Sequence, residues 1–290
     1  MTAAILLYQL NTLTEADEKP AAVFFLGPNS ALSHLPIDLP YRSNYYKIGL
    51  CLRGHARLKV NLETYDIEPD SLMVLSPYVI KQWPFMSADF EGLSVFFTRE
   101  FISANCSLNP DAFSFFEGDA RHVFQLTSSQ ADNIAALLQS IEHKYDAPHA
   151  YREEILRSLI QILLHEIAPI YSAQHVSATV TQTRSQLIAA AFKKLVSTHY
   201  ATERSLSFYA DKLCITPKHL AETVKEATGR RAVEWLAEAV LLEANVLLQN
   251  PALTIAQIAD TLHFADQSTF GRFFRKGIGV SPAAYRQRWA

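Results

Sequence analysis

The sequence is short of cysteine, of charge and of long apolar runs. Only Cys51, Cys106 and Cys214 occur in 290 residues; they are isolated, odd in number and show no CxxC spacing. That excludes a disulfide framework and the usual zinc-ligand pattern, and it points to a reducing compartment. Each cysteine is expected as a small buried hydrophobe. No run reaches the ~18 apolar residues of a spanning helix. The richest stretch, 155–170, is broken by Arg157, His165, Glu166 and Pro169. Met1–Tyr8 carries no Lys or Arg, and Ala3–Tyr8 is too short for a signal-peptide core, so a cytoplasmic location with no membrane partner is expected. Charged residues make up 19% against 49% hydrophobic, which is too apolar for a disordered chain. At roughly 100–200 residues per domain, the length suggests two domains.

The chain has 26 Lys+Arg and 29 Asp+Glu, a formal net charge of −3. This average conceals an asymmetry. Residues 1–184 hold 13 basic and 20 acidic side chains, net −7; residues 185–290 hold 13 basic and 9 acidic, net +4. A basic last third is the kind of imbalance that prompts a search for a nucleic-acid module.

Periodicity changes along the chain. Tyr45–Leu52 runs into the turn Arg53-Gly54-His55, and Arg57–Leu62 alternates with period two, as a half-buried strand does. Glu68-Pro69-Asp70 is turn chemistry, followed by the short strand Ser71–Ser76 and later by Leu93–Phe97. Short strands with frequent turns predict a sandwich or barrel over the first ~125 residues. From Ser128 the period becomes helical: Ile134, Leu137, Leu138 and Ile141 form one stripe, and Ile155, Leu159, Ile162 and Ile170 another. Residues 172–184, small and weakly charged, read as a linker between a domain at 1–171 and one at 185–290.

The last hundred residues match themselves at an offset of 49–50. Leu206, Ala210 and Leu213 correspond to Ile255, Ala259 and Leu262; after one added residue, Thr216, Leu220, Val224, Lys225, Gly229 and Trp235 correspond to Asp266, Phe270, Phe274, Arg275, Gly279 and Tyr285. Each copy predicts a short helix, a tight turn, a second helix started by an N-cap and a closing glycine, which is a helix-turn-helix twice over. Phe270, Phe273 and Phe274 supply the buried face of the second copy's last helix. Gln267, Ser268 and Arg272 lie opposite, with Arg275 and Lys276 near the end. Gln and Arg can form paired hydrogen bonds to base edges in the major groove, while flanking cations neutralise phosphate. In the first copy the equivalent exposed residues are Lys218, His219, Glu222 and Lys225. Glu222 accepts from cytosine or repels the backbone, which makes this helix the weaker reader.

The string Ile255-Ala-Gln-Ile-Ala-Asp-Thr-Leu-His-Phe-Ala-Asp-Gln-Ser-Thr-Phe-Gly-Arg-Phe-Phe-Arg-Lys276, then Gly279-Val280-Ser281-Pro282 and Tyr285-Arg286, resembles the signature of the AraC/XylS family of bacterial transcription regulators; the likeness covers Phe192–Arg286. The resemblance implies a cytoplasmic transcription regulator, not an enzyme, whose partners are double-stranded promoter DNA and RNA polymerase. It implies two reading helices in successive major-groove segments, joined by a long helix at Ala232–Gln249. Base contacts then fall on Gln267, Ser268 and Arg272, and on Lys218 and Glu222. The family often has Arg where Glu222 stands, and Gly where His263 stands.

The resemblance further implies a fold of the α+β multi-domain class, with an N-terminal cupin-like β-barrel carrying two helices and a C-terminal all-α double helix-turn-helix. Such a barrel would hold a small-molecule effector, and activation and homodimerisation are expected. Tyr46, Arg57, Trp83 and Phe85 are candidate effector contacts, because aromatic walls with a few polar anchors suit a small ligand. Ile155, Leu159, Ile162 and Leu163 are candidate dimer contacts. A cupin metalloenzyme is the first alternative, but only His55 stands near the turn where a His-x-His pair would be needed and residue 57 is Arg, so no metal or cofactor is expected. A DNA-repair methyl acceptor needs a reactive cysteine in an electropositive or metal-bound site, and Cys51 and Cys106 lack such a cluster. The third alternative is an interaction protein whose N-terminal domain only dimerises.

Overall fold

The computed structural model describes residues 7–8, 23–26, 39–77, 79–104, 108–117, 120–181 and 183–287. Cys106 lies outside them. The chain divides into two compact units at Ala178/Thr179.

Among the described residues the first unit holds ten strands: β1 (Leu7–Tyr8), β2 (Val23–Leu26), β3 (Arg42–Ser43), β4 (Tyr45–Arg53), β5 (Ala56–Val60), β6 (Glu63–Ile67), β7 (Ser71–Leu75), β8 (Lys81–Met86), β9 (Glu91–Thr98) and β10 (Val123–Gln125). They form a five-stranded sheet in the order β10-β7-β4-β9-β2, a three-stranded sheet β6-β5-β8 and a parallel pair β1-β3. The larger two sheets are antiparallel throughout. Among the described residues they are separate ladders, so hydrogen bonding does not close them into the expected cupin-like barrel.

Strand β4 shows why simple alternation was only half the pattern. Its first seven residues are all buried, because the five-stranded sheet is covered on both faces. Tyr46, Ile48 and Leu50 point to one side, into a core shared with helices α1 (Arg99–Ser103), α2 (Ser128–Asp146) and α3 (Arg152–Thr181). Cys51 points to the other side, packing with Met73 and Leu75 of β7, Ala56, Leu58 and Val60 of β5 and Trp83 of β8. Each fully buried Leu, Ile or Phe contributes about 1.5–3 kcal/mol by leaving water.

Thr127 and Gln130 cap α2 reciprocally, and Ala131, Ile134, Leu138 and Ile141 face the core. On α3 the buried stripe is Leu156, Ile160, Leu163, Leu164, Ile167 and Tyr171. This is one residue around from the expected stripe, since Ile155 and Leu159 are half-buried and Ile162 is 47% exposed. The rotation places Arg157 among the buried residues, where its Nε donates to the Phe101 carbonyl at 2.8 Å and its guanidinium lies over the Phe101 ring. Helix α3 also runs through the residues expected as a linker as far as Thr181. Ala, Val, Ser and Thr are compatible with a helix once a preceding turn has nucleated it, and low charge alone does not stop one. Cys51 is buried, whereas Cys214 is exposed, contrary to expectation.

The second unit is helical: α4 (Arg184–His199), α5 (Leu206–Lys212), α6 (Pro217–Thr228), α7 (Ala232–Leu248), α8 (Ile255–Thr261), α9 (Gln267–Ile278) and α10 (Pro282–Gln287). Thr183 with Gln186, and Thr254 with Gln257, form capping boxes at the starts of α4 and α8. Helix α7 is apolar around much of its circumference, because the two helical hairpins pack along it.

Candidate nucleic-acid interface

The sequence repeat is a structural repeat at the level of single hydrogen bonds. In the first turn Cys214 N–H donates to Asp211 O at 3.1 Å and Ile215 N–H to Ala210 O at 3.0 Å; in the second, His263 N–H donates to Asp260 O at 2.8 Å and Phe264 N–H to Ala259 O at 2.9 Å. Cys214 and His263 both occupy the left-handed region, at φ 54° and 53°. That conformation favours glycine, which is the residue the family resemblance implied at His263. Both second helices end on a left-handed glycine, Gly229 at φ 71° and Gly279 at φ 88°, whose N–H closes the last turn on Lys225 and Arg275.

The N-caps match as well. Thr216 Oγ1 accepts from His219 N–H at 3.2 Å, and Asp266 Oδ1 from Thr269 N–H at 2.7 Å. The Thr269 backbone bond holds the Asp266 carboxyl below the usual carboxylate range, aided by the Thr269 hydroxyl. Leu220 and Val224 anchor α6, and Phe270 and Phe274 anchor α9; all four are fully buried. Phe273, expected with them, is half-buried against Phe264.

All nine expected DNA-facing residues are exposed: Lys218, His219, Glu222 and Lys225 on α6, and Gln267, Ser268, Arg272, Arg275 and Lys276 on α9. At ~100° per residue, Ser268, Arg272, Arg275 and Lys276 share roughly a 100° arc opposite Phe270 and Phe274, whereas Gln267, at the first turn, lies about 80° outside that arc, towards the Phe274 side. The same arc on α6 carries Lys218, Glu222, Lys225 and Glu226. Glu222 approaches Lys218 at 4.0 Å, so part of this face neutralises itself.

Two features were absent from the sequence reading. A relay at intervals of three residues orients Arg272: its guanidinium donates to Thr269 Oγ1 at 3.3 Å, and the Thr269 hydroxyl donates to Asp266 Oδ2 at 3.1 Å. The D-x-x-T-x-x-R spacing was its available signal. The other feature is Arg204, just before α5, which donates to the Leu262 carbonyl and stacks 3.8 Å from the Phe264 ring centroid. It ties the first helix-turn-helix to the turn of the second, and no local pattern announces it.

The expected effector residues do not converge. Tyr46 lies in the core on the helix side, bonded to Asp111 at 2.5 Å, while Trp83 lies between the sheets. Arg57 and Phe85 pair across β5 and β8 and face outward, Arg57 bridging Asp66 at 3.1 Å. Two residues apart, Trp83 and Phe85 would share a face by alternation; the register shift of β8 against β5 between Arg57 and Lys59 separates them. Of the expected dimer residues, Leu163 is fully buried in its own unit. Ile155 and Leu159 line a groove of about 530 Å³ with Ala136, Gln139, Ser140, His143 and Lys144, and Ile162 is exposed nearby on α3. Among the described residues no cluster of three or more His, Cys, Asp or Glu could hold a metal ion, and no helix is long and apolar enough to cross a membrane. Burial pushes the Cys51 thiol up to about 11, the opposite of an activated nucleophile.

Two capped hairpins with exposed polar second helices define the class, a double helix-turn-helix DNA-binding protein. A family model described as "Helix-turn-helix domain" matches residues 209–288. The chain is 21% identical over 85% of its length, and 85% of the relative's, to the Msm operon regulatory protein of Streptococcus mutans serotype c. It is 23% identical to the arabinose operon regulatory protein of Salmonella typhimurium, covering 86% of each chain. Over 25% of each chain it is 38% identical to the HTH-type transcriptional activator RhaR of Pectobacterium carotovorum subsp. carotovorum. Residues 209–288 thus carry a helix-turn-helix domain, and the chain is similar to DNA-binding transcription regulators of the AraC type.

Proposed function

We propose that the protein is a cytoplasmic regulator that reads two adjacent major-groove segments with α6 and α9 and responds to a small effector bound in the 7–178 unit. The observation that carries this reading is the duplicated hairpin with all nine polar candidates exposed on its second helices. Helix α7 has 17 residues, about 25 Å at 1.5 Å per residue, a length suited to segments near one DNA turn, or ~34 Å, apart. Gln267, Ser268 and Arg272 read bases, with Lys218, His219 and Glu222 as the weaker set; Lys225, Arg275 and Lys276 contact phosphate.

A second copy of the chain is the proposed occupant of the groove beside Ile155 and Leu159, extended by Ile162. Pairing supplies the affinity that a weakly charged first reading helix leaves wanting. The domain division 1–171, 172–184 and 185–290 is retained as a functional one. Activation through RNA polymerase belongs to the same proposal, supported by the regulator named an activator among the relatives. Genome-wide mapping of bound sites tests it. The expected result is enrichment at promoters, each site holding two segments one helical turn apart. Binding without sequence preference across the genome would overturn base reading by α9.

A further inference from the structure

Helix α9 carries a side-chain relay that its counterpart α6 replaces with other residues. Asp266, Thr269 and Arg272 stand three residues apart, so each side chain meets the next along one face. The Thr269 hydroxyl donates to Asp266 Oδ2 at 3.1 Å, and Arg272 Nη2 donates to Thr269 Oγ1 at 3.3 Å. A further bond, from Thr269 N–H to Asp266 Oδ1 at 2.7 Å, fixes the carboxylate from which the relay starts. Thr269 is half-buried, whereas Asp266 and Arg272 are exposed. A short β-branched side chain with few rotamers open to it thus holds a long exposed one that has many.

The direction of each bond follows from the groups. The Asp266 carboxyl lies below the usual carboxylate range, chiefly through the Thr269 backbone bond, so it is ionised at neutral pH. An ionised carboxylate only accepts, which commits the single hydroxyl proton of Thr269 to Asp266 and leaves the oxygen's lone pairs for Arg272. A guanidinium offers two edges, each with a pair of parallel N–H groups, and Nη2 contributes one proton to each edge. Thr269 engages one of those Nη2 protons. Whichever it is, one edge stays complete and the other is occupied. At the matched positions of α6 stand Thr216, His219 and Glu222. The backbone cap survives there, with His219 N–H donating to Thr216 Oγ1 at 3.2 Å. Its outer member is an acceptor, however, and approaches Lys218 instead.

We propose that Thr269 is a positioning residue for sequence reading: it presents Arg272 to the major groove through one two-donor edge and so sets the selection of guanine at the base pair that Arg272 meets. Paired donation to O6 and N7 is the geometry that tells guanine from the other bases in that groove. An untethered arginine samples many rotamers and both edges, and a swivelling guanidinium serves a phosphate as readily as a base. Held by Thr269, it reaches the DNA with part of that freedom already removed, which favours the contact that needs two bonds at once. The proposal rests on the base-reading role given to Arg272 above, and adds the residue through which that role is exercised.

The test takes the full chain and a duplex that it selects from a random-sequence DNA pool, together with every single-base variant of that duplex. Arg272→Ala is expected to relax selection at one base pair, which identifies the guanine. At that pair alone, Thr269→Val should lower the preference for guanine by about two- to twelvefold, the equivalent of one net hydrogen bond, and leave affinity for unrelated DNA in place. Valine matches threonine in shape and keeps the backbone bond to Asp266. Thr269→Ala, which lacks the hydroxyl without adding a methyl, should give the same loss and stands in if the valine variant does not fold. Thr269→Ser brings the hydroxyl back and should restore the preference. In the Arg272→Ala background, Thr269→Val should change nothing further, since a residue acting only through Arg272 then has nothing to act on. An unchanged preference without the hydroxyl, an equal loss at every base pair, no rescue by serine, or a further loss in the double variant each overturns the proposal. Base reading by Arg272 survives those outcomes, because Arg272→Ala measures it separately. A pool that yields no preferred sequence, or a uniform loss for Arg272→Ala, removes that reading and the relay's role with it.

Discussion

Helices α6 and α9 are the same device with different faces. Their turns, caps and closing glycines agree bond for bond. At matched exposed positions, however, Arg272 and Lys276 of α9 stand where α6 has Glu222 and Glu226. Helix α9 thus carries three cations and no acid on its outer side, whereas α6 balances Lys218 and Lys225 against two glutamates. The inner sides differ too, with Phe270 and Phe274 standing where α6 has Leu220 and Val224. Duplication preserved what holds a helix in place and released what the helix presents. The stronger DNA attraction and the larger packed anchor are therefore on the same side of the unit.

The largest expected effect removes an anchor. Phe274→Ala should cost about 3–5 kcal/mol in urea denaturation, against about 1–3 for Val224→Ala at the matched position. Equal costs would mean that the two halves are packed alike despite their different side chains.

Next come the faces themselves. Arg272→Ala should lose about 1–3 kcal/mol on the preferred site and relax selection at one base pair. Lys276→Ala should weaken all sequences alike and lower the salt slope by about one. Glu222→Gln, by contrast, should strengthen binding to every sequence, because it removes a like charge from the backbone's path. Competition binding on a library of single-base variants separates these outcomes. A uniform loss for Arg272→Ala would reassign that residue to a phosphate.

The smallest effect lies in the caps. Thr216→Ala should cost about 1 kcal/mol at any pH. The Asp266 cap is ionisable and its folded-state carboxyl is depressed, so its contribution is fully present above the ordinary aspartate value and is lost as pH falls through the depressed one. Asp266→Asn retains a capping oxygen and should flatten the acid limb of the unfolding curve below about pH 4, with little change at neutrality. An unaltered acid limb would show that the α9 cap is not what acid disrupts.

Much of the C-terminal unit was legible because its signals are local. Thr216-Pro217, Asp266, Gly229 and Gly279 each act within one helical turn, and spacing by three and four residues separates Phe270 and Phe274 from Arg272. The N-terminal unit was legible only in outline. Seven consecutive buried residues on β4 give no alternation to read, and the buried Lys47 and Lys81 look in sequence like ordinary surface lysines. The α3 stripe was misplaced by one residue because Ile155, Leu159 and Ile162 are as apolar as the residues that pack inward. Arg204 was invisible for another reason: its partners Leu262 and Phe264 lie some sixty positions along the chain, and only the fold brings them together.

That clasp has a mechanical consequence. With Arg204 locking the start of one hairpin to the elbow of the other, and α7 running between them as a strut, the two reading heads act as teeth cut on a single key. The operator then carries information in its spacing as well as in its letters. One inserted base pair between the two segments swings the second by about a tenth of a turn, and a rigid key meets that lock with only one tooth engaged.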